Sequence, residues 1–356
     1  MSIRPFFSSI HQSRTAKIVR SLIDTVGTNS ANLGLQAEIC QDAITWAESS
    51  KRTFLKQRIQ TRLAAVYVQM ARYNDAIGLM GRLQKEVKKF DDKLLLVEIF
   101  LIESRAHLAL ENLPKSKGAL TAARSSANAI YCPPLLQAEI DMQAGILCAA
   151  EKDFKTAYSY FYESFEGFNT MKESGEAVRA IKYMLLAKVM TGQYDDVYSI
   201  VAGKAGVKYA GIEIEAMRAV TDAYKARNVH RFDSIFSHYK AQLLEDAIIA
   251  SHLTELKANL LEQNMLRILE PYSRVQVAHV AKLIKLPTAA VEAKLSEMIL
   301  DGKMRGILDQ GTGDVIVWDE PVPDRQYKLG VDIIGELSGV VDRLYVKAKA
   351  LRQVEV

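Results

Sequence analysis

Apolar residues recur every three to four positions along most of the chain, and the breaks in that rhythm are themselves regular. From near Ser13 to about residue 260 the pattern is helical, with few glycines or prolines and no run that alternates as a strand does. Tyr73, Leu113, Phe154, Tyr194 and Phe232 each follow a short polar break, at spacings of 40, 41, 40 and 38 residues. Three positions further on stand Ala76, Ser116, Ala157, Val197 and Ile235, mostly small or apolar. One helix pair cannot bury its own apolar face, so a helix–turn–helix unit repeated at a period near 40 predicts a right-handed α-solenoid of TPR-like helix pairs. The fold class expected is mainly α.

Within this arm, Asn128 to Pro134 is a sharp interruption, because consecutive prolines stop one helix and can start the next. The aromatic cluster Tyr158, Tyr160, Phe161, Tyr162, Phe165 and Phe168 has helical spacing, which favours packing between repeats over a ligand platform. The run from Arg82 to Lys89 reads as a solvated helix face, with a docking patch for an acidic partner as its other reading.

The rhythm changes after Leu261. Two short apolar-periodic segments, Val275 to Ile284 and Ala289 to Leu300, flank a Leu-Pro-Thr break in which Pro287 ends one helix and Thr288 can cap the next. Gly302 is placed to close the second helix, and strand-like Met304 to Asp309 and Val315 to Trp318 flank the turn Gln310 to Asp314. A helix-turn-helix followed by a β-hairpin is a winged helix. Val291, Leu295, Met298 and Ile299 form the buried stripe of its second helix. That leaves Ala290, Glu292, Ala293, Lys294, Ser296 and Glu297 for a groove, two acids and one base, and the wing tip adds Asp314. Phosphate contacts need Lys and Arg, so this surface suits protein docking rather than DNA.

Asp319 to Asp324 is a proline-punctuated linker, and Asp324 can cap a last helix running to about Gln353. Tyr327, Ile334, Val341 and Ala348 recur at seven, with Gly330, Leu337, Leu344 and Leu351 three residues behind, a coiled-coil seam. Gly330, Gly335 and Gly339 weaken this helix by about 1 kcal/mol each, so it should need partners. The organisation expected is a loose leader over 1–13, a helical-repeat arm over 14–250, the winged helix over 251–320, and a linker with a C-terminal docking helix over 321–356.

Composition narrows the function more than the fold. A net charge of +4 over 356 residues argues against a dedicated nucleic-acid or membrane-surface protein. Cys40, Cys132 and Cys148 form no Cys-x-x-Cys pair, as befits a reducing compartment without a disulfide framework or zinc site. No apolar run approaches the roughly 20 residues of a membrane span. Residues 1–20 lack acids and carry Arg4, Arg14, Lys17 and Arg20, as a transit peptide would, yet Ala16, Val19, Ile23 and Val26 read as one face of a first helix. There is no phosphate-binding loop, nucleophile elbow or zinc helix. The glycines of Gln310 to Gly313 join two strands, and His107, His230, His238, His252 and His279 are scattered. No catalytic, cofactor-binding or metal-binding residue is expected, and the chain does not read as an enzyme.

Arm, winged helix and terminal helix together resemble the PCI-domain proteins of the proteasome lid, the COP9 signalosome and the initiation-factor-3 core. The strings KRTFL at 51–55, DDKLLLVE at 91–98, NAIYCPP at 128–134, AYSYFYE at 157–163, LLEQN at 260–264, SRVQ at 273–276, KLSEMILD at 294–301 and ILDQG at 307–311 are similar to those of the 26S proteasome lid members, from about Ser13 to Arg352. The resemblance implies a non-catalytic scaffold of the regulatory particle in cytoplasm and nucleus, with signalosome and initiation-factor scaffolds, or a winged-helix nucleic-acid regulator, as alternatives. It implies other PCI lid subunits as partners of the winged helix and the C-terminal helix, and the ATPase ring and core-particle α-ring as partners of the arm. The side-by-side contact of winged helices maps to Tyr272 to Trp318, with Arg274, Gln276, Val315 and Val317 as candidates. The bundle contact maps to Ile334, Leu337, Val341, Leu344 and Tyr345. Family members usually carry several tens more residues at the N-terminus, which leaves the core-particle contact open.

Overall fold

A computed structural model describes residues 33–244, 246–318 and 325–354, and before them Arg14, Lys17, Ile18, Val19, Ser21 and Thr25. The expected leader, Ala16, Ile23 and Val26 of the first helical face, and the linker with Asp324 lie outside these residues. The chain divides into two compact units, 1–258 and 259–356.

The first unit is built from helices of nearly constant length: α1 (Leu33–Ser49), α2 (Thr53–Gln69), α3 (Tyr73–Phe90), α4 (Lys93–Ala109), α5 (Leu113–Asn128), α6 (Pro134–Ala150), α7 (Phe154–Met171) and α8 (Ser174–Met190). Then come α9 (Tyr194–Ala202), α10 (Lys204–Lys208), α11 (Ile212–Lys225), α12 (Val229–His238), α13 (Lys240–Leu244) and α14 (Ala247–Leu269), the last running past residue 258. The period near 40 has a local cause. Lys51, Ala71, Asp91 and Glu111, then Lys152, Lys172 and Gly192, each adopt left-handed backbone at 20-residue intervals. Most of them turn the chain through one hydrogen-bond pattern, as where Lys51 N–H donates to Glu48 C=O at 3.0 Å and Arg52 N–H to Ala47 C=O at 2.9 Å. Closing those carbonyls offsets the roughly 1–2 kcal/mol that a non-glycine residue loses in this conformation.

Tyr73, Leu113, Phe154 and Tyr194 are the first residues of their helices and half-buried, whereas Ala76, Ser116, Ala157 and Val197 are wholly buried. Phe232 breaks the expected register: Val229 opens α12, and Phe232, 1% exposed, occupies the interior place that small residues fill in the other repeats. Ile235 is accordingly only half-buried. The helices form two layers. In one layer, that of the even helices up to α8 and then α11, α2 touches α4, α4 touches α6, and α8 touches α11, in addition to their sequence neighbours. That placement explains why α4 buries eight residues and α6 and α8 ten each, while α3 buries four and α7 five on a single stripe.

Close approach between layers uses small residues. A Cβ on Gly145 would lie 2.5 Å from the Phe161 ring, and one on Gly167 would lie 2.7 Å from Ala138 Cβ. Ser104 and Ser116 exchange hydrogen bonds to each other's carbonyls at 3.0 and 2.7 Å, joining α4 to α5. Phe161, Phe165 and Phe168 are buried, with Phe161 against Tyr183 at 5.1 Å and Phe165 against Tyr209 at 6.0 Å, so the phenylalanines of this cluster are packing, whereas Tyr158 and Tyr160 are half-buried and Tyr162 is exposed. Pro133 precedes α6 and Pro134 is its first residue, as the double proline predicts. Asp246 accepts from Arg179 Nε at 3.0 Å, Tyr183 Oη at 2.5 Å and Ile248 N–H at 3.2 Å, tying α8 to the start of α14.

Two measurements check this packing. Gly145→Ala gains about 1 kcal/mol of helix propensity but forces Phe161 to move, so thermal unfolding should show a net loss of about 1–2 kcal/mol. Gly118→Ala, with nothing within 4 Å of the added carbon, should instead gain up to about 1 kcal/mol. His252 is buried beside Phe154, ring centroids 5.8 Å apart, and burial pulls its pKa below the ordinary value despite nearby Glu255. The unfolded chain therefore binds the extra proton first, and stability should fall as pH drops through about 6.5 and below. His252→Phe should flatten that dependence in melting curves recorded from about pH 7.5 to 5.5.

Candidate docking surfaces of the winged helix and C-terminal helix

The second unit is organised around one apolar cluster. Met265 and Leu269 of α14 meet Val275, the helix residues Val277, Val280, Ala281 and Ile284, and Val291, Leu295, Met298, Met304 and Val315. Its elements after α14 are β1 (Arg274–Gln276), α15 (Val277–Ile284), α16 (Thr288–Leu300), β2 (Gly306–Asp309) and β3 (Asp314–Val317). The strands form an antiparallel sheet in the order β1-β3-β2.

The winged helix departs from three local expectations. Val275 lies in β1 rather than in the first helix, paired with Val315; the alternation exposed-buried-exposed over 274–276 is a strand pattern too short to stand out in the sequence. Lys285, in left-handed backbone at φ 59°, ends α15 before Pro287 is reached. Pro287 holds the N-cap position of α16, so Thr288 is its first residue rather than its cap. Gly302, at φ +69°, closes α16 as expected, its N–H donating to Ile299 C=O at 3.1 Å.

The one base on the exposed part of α16 is already engaged. Lys294 Nζ lies 2.9 Å from Glu262 Oε1 and 2.8 Å from Glu297 Oε2, and Lys303 Nζ reaches Glu262 Oε2 at 2.7 Å. Burial alone would raise the Glu262 pKa, but hydrogen bonds from Lys303 and Lys294 outweigh it and hold the carboxyl below its usual range. Neutralised within the unit, this surface offers little to phosphate.

What it offers is apolar. Leu283 on α15 is 50% exposed and Leu300 at the end of α16 is 86% exposed. The strand register aligns Arg274, Ile316 and Ile307 across the outer face of the sheet, and exposed Trp318 follows β3. Arg274 is exposed and donates to Asp314 Oδ2 from Nε at 2.9 Å and from Nη2 at 2.6 Å. Gln276 is exposed on the same edge strand. Val315, by contrast, is 0% exposed at the centre of the apolar cluster, and Val317 packs partly against it, so Val315 is core rather than surface. Leu283, Leu300, Ile307, Ile316 and Trp318 escaped the sequence reading because their apolarity fits a core equally well; only the strand register and helix ends separate them from it.

The C-terminal helix, α17 (Arg325–Val354), carries many of the exposed large apolar side chains among the described residues. Every described side chain along it is exposed, among them Ile334 at 69%, Leu337 at 58%, Val341 at 57%, Leu344 at 62% and Tyr345 at 69%. At about 100° per residue, Leu329, Ile333, Val340 and Leu344 form one strip and Tyr327, Ile334, Val341 and Tyr345 a second, with Leu337 between, an arc of about 160°. This is wider than the single seam that heptad counting suggests and suits two neighbouring helices. Gly335 and Gly339 fall on the polar side, among Asp332, Glu336 and Arg343, so of the three glycines only Gly330 lies within the arc.

Among the described residues no cluster of histidine, cysteine and carboxylate side chains could hold a metal ion, and no helix is long and apolar enough to cross a membrane.

Residues 1–70 match the family described as the 26S proteasome regulatory subunit RPN6 N-terminal domain, and residues 233–319 match the PCI domain. The chain is 50% identical over 346 residues to the 26S proteasome non-ATPase regulatory subunit 11 homolog of Arabidopsis thaliana, covering 97% of this chain and 82% of the relative. It is 48% identical over 349 residues to the probable 26S proteasome regulatory subunit rpn6 of Schizosaccharomyces pombe, covering 98% and 83%. To the 26S proteasome regulatory subunit RPN6 of Saccharomyces cerevisiae it is 40% identical over 344 residues, covering 96% and 79%.

The Glu262 bridge carries its own test. Glu262→Ala leaves Lys294 and Lys303 without their shared partner and should destabilise the winged helix by about 1–3 kcal/mol, seen as faster hydrogen exchange across α16 in the full chain. Because the Glu262 pKa is depressed, its contribution is present above about pH 4.5 and lost on further acidification.

Proposed function

The chain belongs to the RPN6, or non-ATPase subunit 11, family of 26S proteasome regulatory subunits, and from that premise we propose that it is a non-catalytic scaffold of the proteasome lid. The observation that carries the reading is α17, a helix of 30 residues with a broad apolar arc and every described side chain exposed. Leaving that much apolar surface in water is unfavourable by roughly 25 cal/mol per Å², so the helix is built for a multi-chain bundle. Ile334, Leu337, Val341, Leu344 and Tyr345 are its contact residues.

In this reading the winged helix docks beside those of other PCI lid subunits. Its apolar patches differ, Leu283 and Leu300 on the helices and Ile307, Ile316 and Trp318 on the sheet, which suits unlike neighbours better than a self-pair. Arg274, Gln276 and Val317 fit the sheet side of that contact. The helical-repeat arm braces the lid against the ATPase ring and the core-particle α-ring during ubiquitin-dependent degradation, in cytoplasm and nucleus. No chemistry is assigned to any residue, and the engaged Lys294 argues against a nucleic-acid role. The full-length likeness to proteins named as proteasome subunits favours this assembly over the signalosome or initiation factor 3.

Leu337→Asp combined with Leu344→Asp separates assembly from folding. Both side chains are more than half exposed in the chain by itself, so the purified double variant should melt within about 1 °C of the parent. Burying two carboxylates in a dry bundle costs several kcal/mol, so a tagged copy should be lost from assembled lid on affinity purification. Normal incorporation of the variant would rule out the bundle contact, and recovery of initiation-factor or signalosome subunits by the parent chain would redirect the proposal to those assemblies.

A further inference from the structure

Phe54, near the start of α2, is 61% exposed, and Phe90, the last residue of α3, is 52% exposed. Their rings lie 5.7 Å apart at 58°, a contact made in solvent rather than in the core. Exposed Lys51 stands just before α2, and Arg82, Lys85, Lys88 and Lys89 are exposed along α3. Lys88 and Lys89 sit in the last turn of α3, where a cation favours the helix dipole, and Lys88 also lies over the Phe100 ring at 5.7 Å. That accounts for two of these cations and for neither phenylalanine.

The nearby acids are largely committed elsewhere. Glu48 holds Lys56 at 2.9 Å and Asp92 caps α4 by accepting from Leu95 N–H at 3.2 Å, whereas Glu86, exposed one helical turn before Phe90, acts on Lys56 only through its field. Asp91 remains exposed in the left-handed turn. Lys51, Lys85 and Lys89 have no ion-pair partner among the described residues. An aromatic pair in water beside a surplus of unpaired ammonium groups is complementary to a chain that carries both negative charge and an apolar side chain.

We propose that Phe54 and Phe90, with Lys51, Lys85 and Lys89, form a docking site for an acidic linear segment of a partner protein, whose apolar side chain packs on the phenylalanine pair. The site lies within the repeat unit and does not depend on the assembly proposed above. A fluorescein-labelled, glutamate-rich peptide with one phenylalanine and one leucine serves as probe, titrated with the full chain and read by fluorescence anisotropy. Phe54→Ser with Phe90→Ser, and separately Lys85→Glu with Lys89→Glu, should each weaken binding at least about tenfold, and parent affinity should fall as salt rises from about 50 to 200 mM. All four positions are exposed, so both variants should keep the parent's melting curve. If the serine variant melts early, the charge reversal and a probe with its phenylalanine and leucine replaced by alanine still decide the matter. The proposal is overturned by absent binding to the parent, by equal binding of parent and charge-reversal variant, or by equal binding of the alanine probe. It is also overturned if sedimentation shows that the patch joins two copies of this chain.

Discussion

The arm depends on the turn as much as on the core. Each helix in the regular part is followed by one left-handed residue, and because every such turn but that of Asp91 closes two carbonyls, the next helix starts at a fixed distance and direction. Seven such turns stand in two runs at 20-residue intervals, separated by the proline break before α6. Only Gly192 among them is the residue that adopts this backbone freely; Lys51, Ala71, Glu111, Lys152 and Lys172 hold it because the helices on either side are packed. The turn sets where the even helices fall, and burial on both faces in turn requires those helices to be apolar nearly all round.

How the sequence disclosed this is instructive in its errors. The half-buried aromatic that opens each odd helix was conspicuous in the sequence, while the wholly buried Ala76, Ser116, Ala157 and Val197 carry the tighter constraint and are chemically quiet. Where the two positions exchanged character, at Val229 and Phe232, matching aromatic to aromatic slipped the register by three residues. The strand β1 was hidden for a related reason: Val275 and Val277 are two apart, but Val277, Val280 and Ile284 have helical spacing, and the longer pattern absorbed the shorter. Docking surfaces are harder still, since Leu300 in solvent and Leu295 in the core look alike until a neighbour is in place.

Charge separates the two readings of a winged helix more sharply than fold does. A groove reader leaves its cations free for phosphate, because counterion release supplies most of the affinity. Here Lys294 and Lys303 converge on Glu262, an acid of α14, and Arg274 converges on Asp314 at the wing. The same side chains thus hold the module together internally and cancel the field it would need for nucleic acid. Glu262 was invisible as a site residue because its partners lie more than 30 positions away in the chain and meet it only through packing of α14 on α16.

The C-terminal helix inverts the logic of the arm. In the arm an all-apolar helix is stable because neighbours of the same chain cover it; in α17 the apolar arc spans about 160° and none of its described side chains is buried. Three glycines lower its intrinsic helicity, and two of them, Gly335 and Gly339, lie on the polar side, where close helix packing cannot explain them. They fit a helix whose order comes from its neighbours, because a segment of low intrinsic stability that gains an apolar environment on docking couples its own ordering to assembly. Two strips, Leu329 to Leu344 and Tyr327 to Tyr345, mean that one neighbouring helix would satisfy only half of the surface. The second half would remain a cost until another helix arrived, so in the proposed bundle such a helix would favour complete assemblies over partial ones.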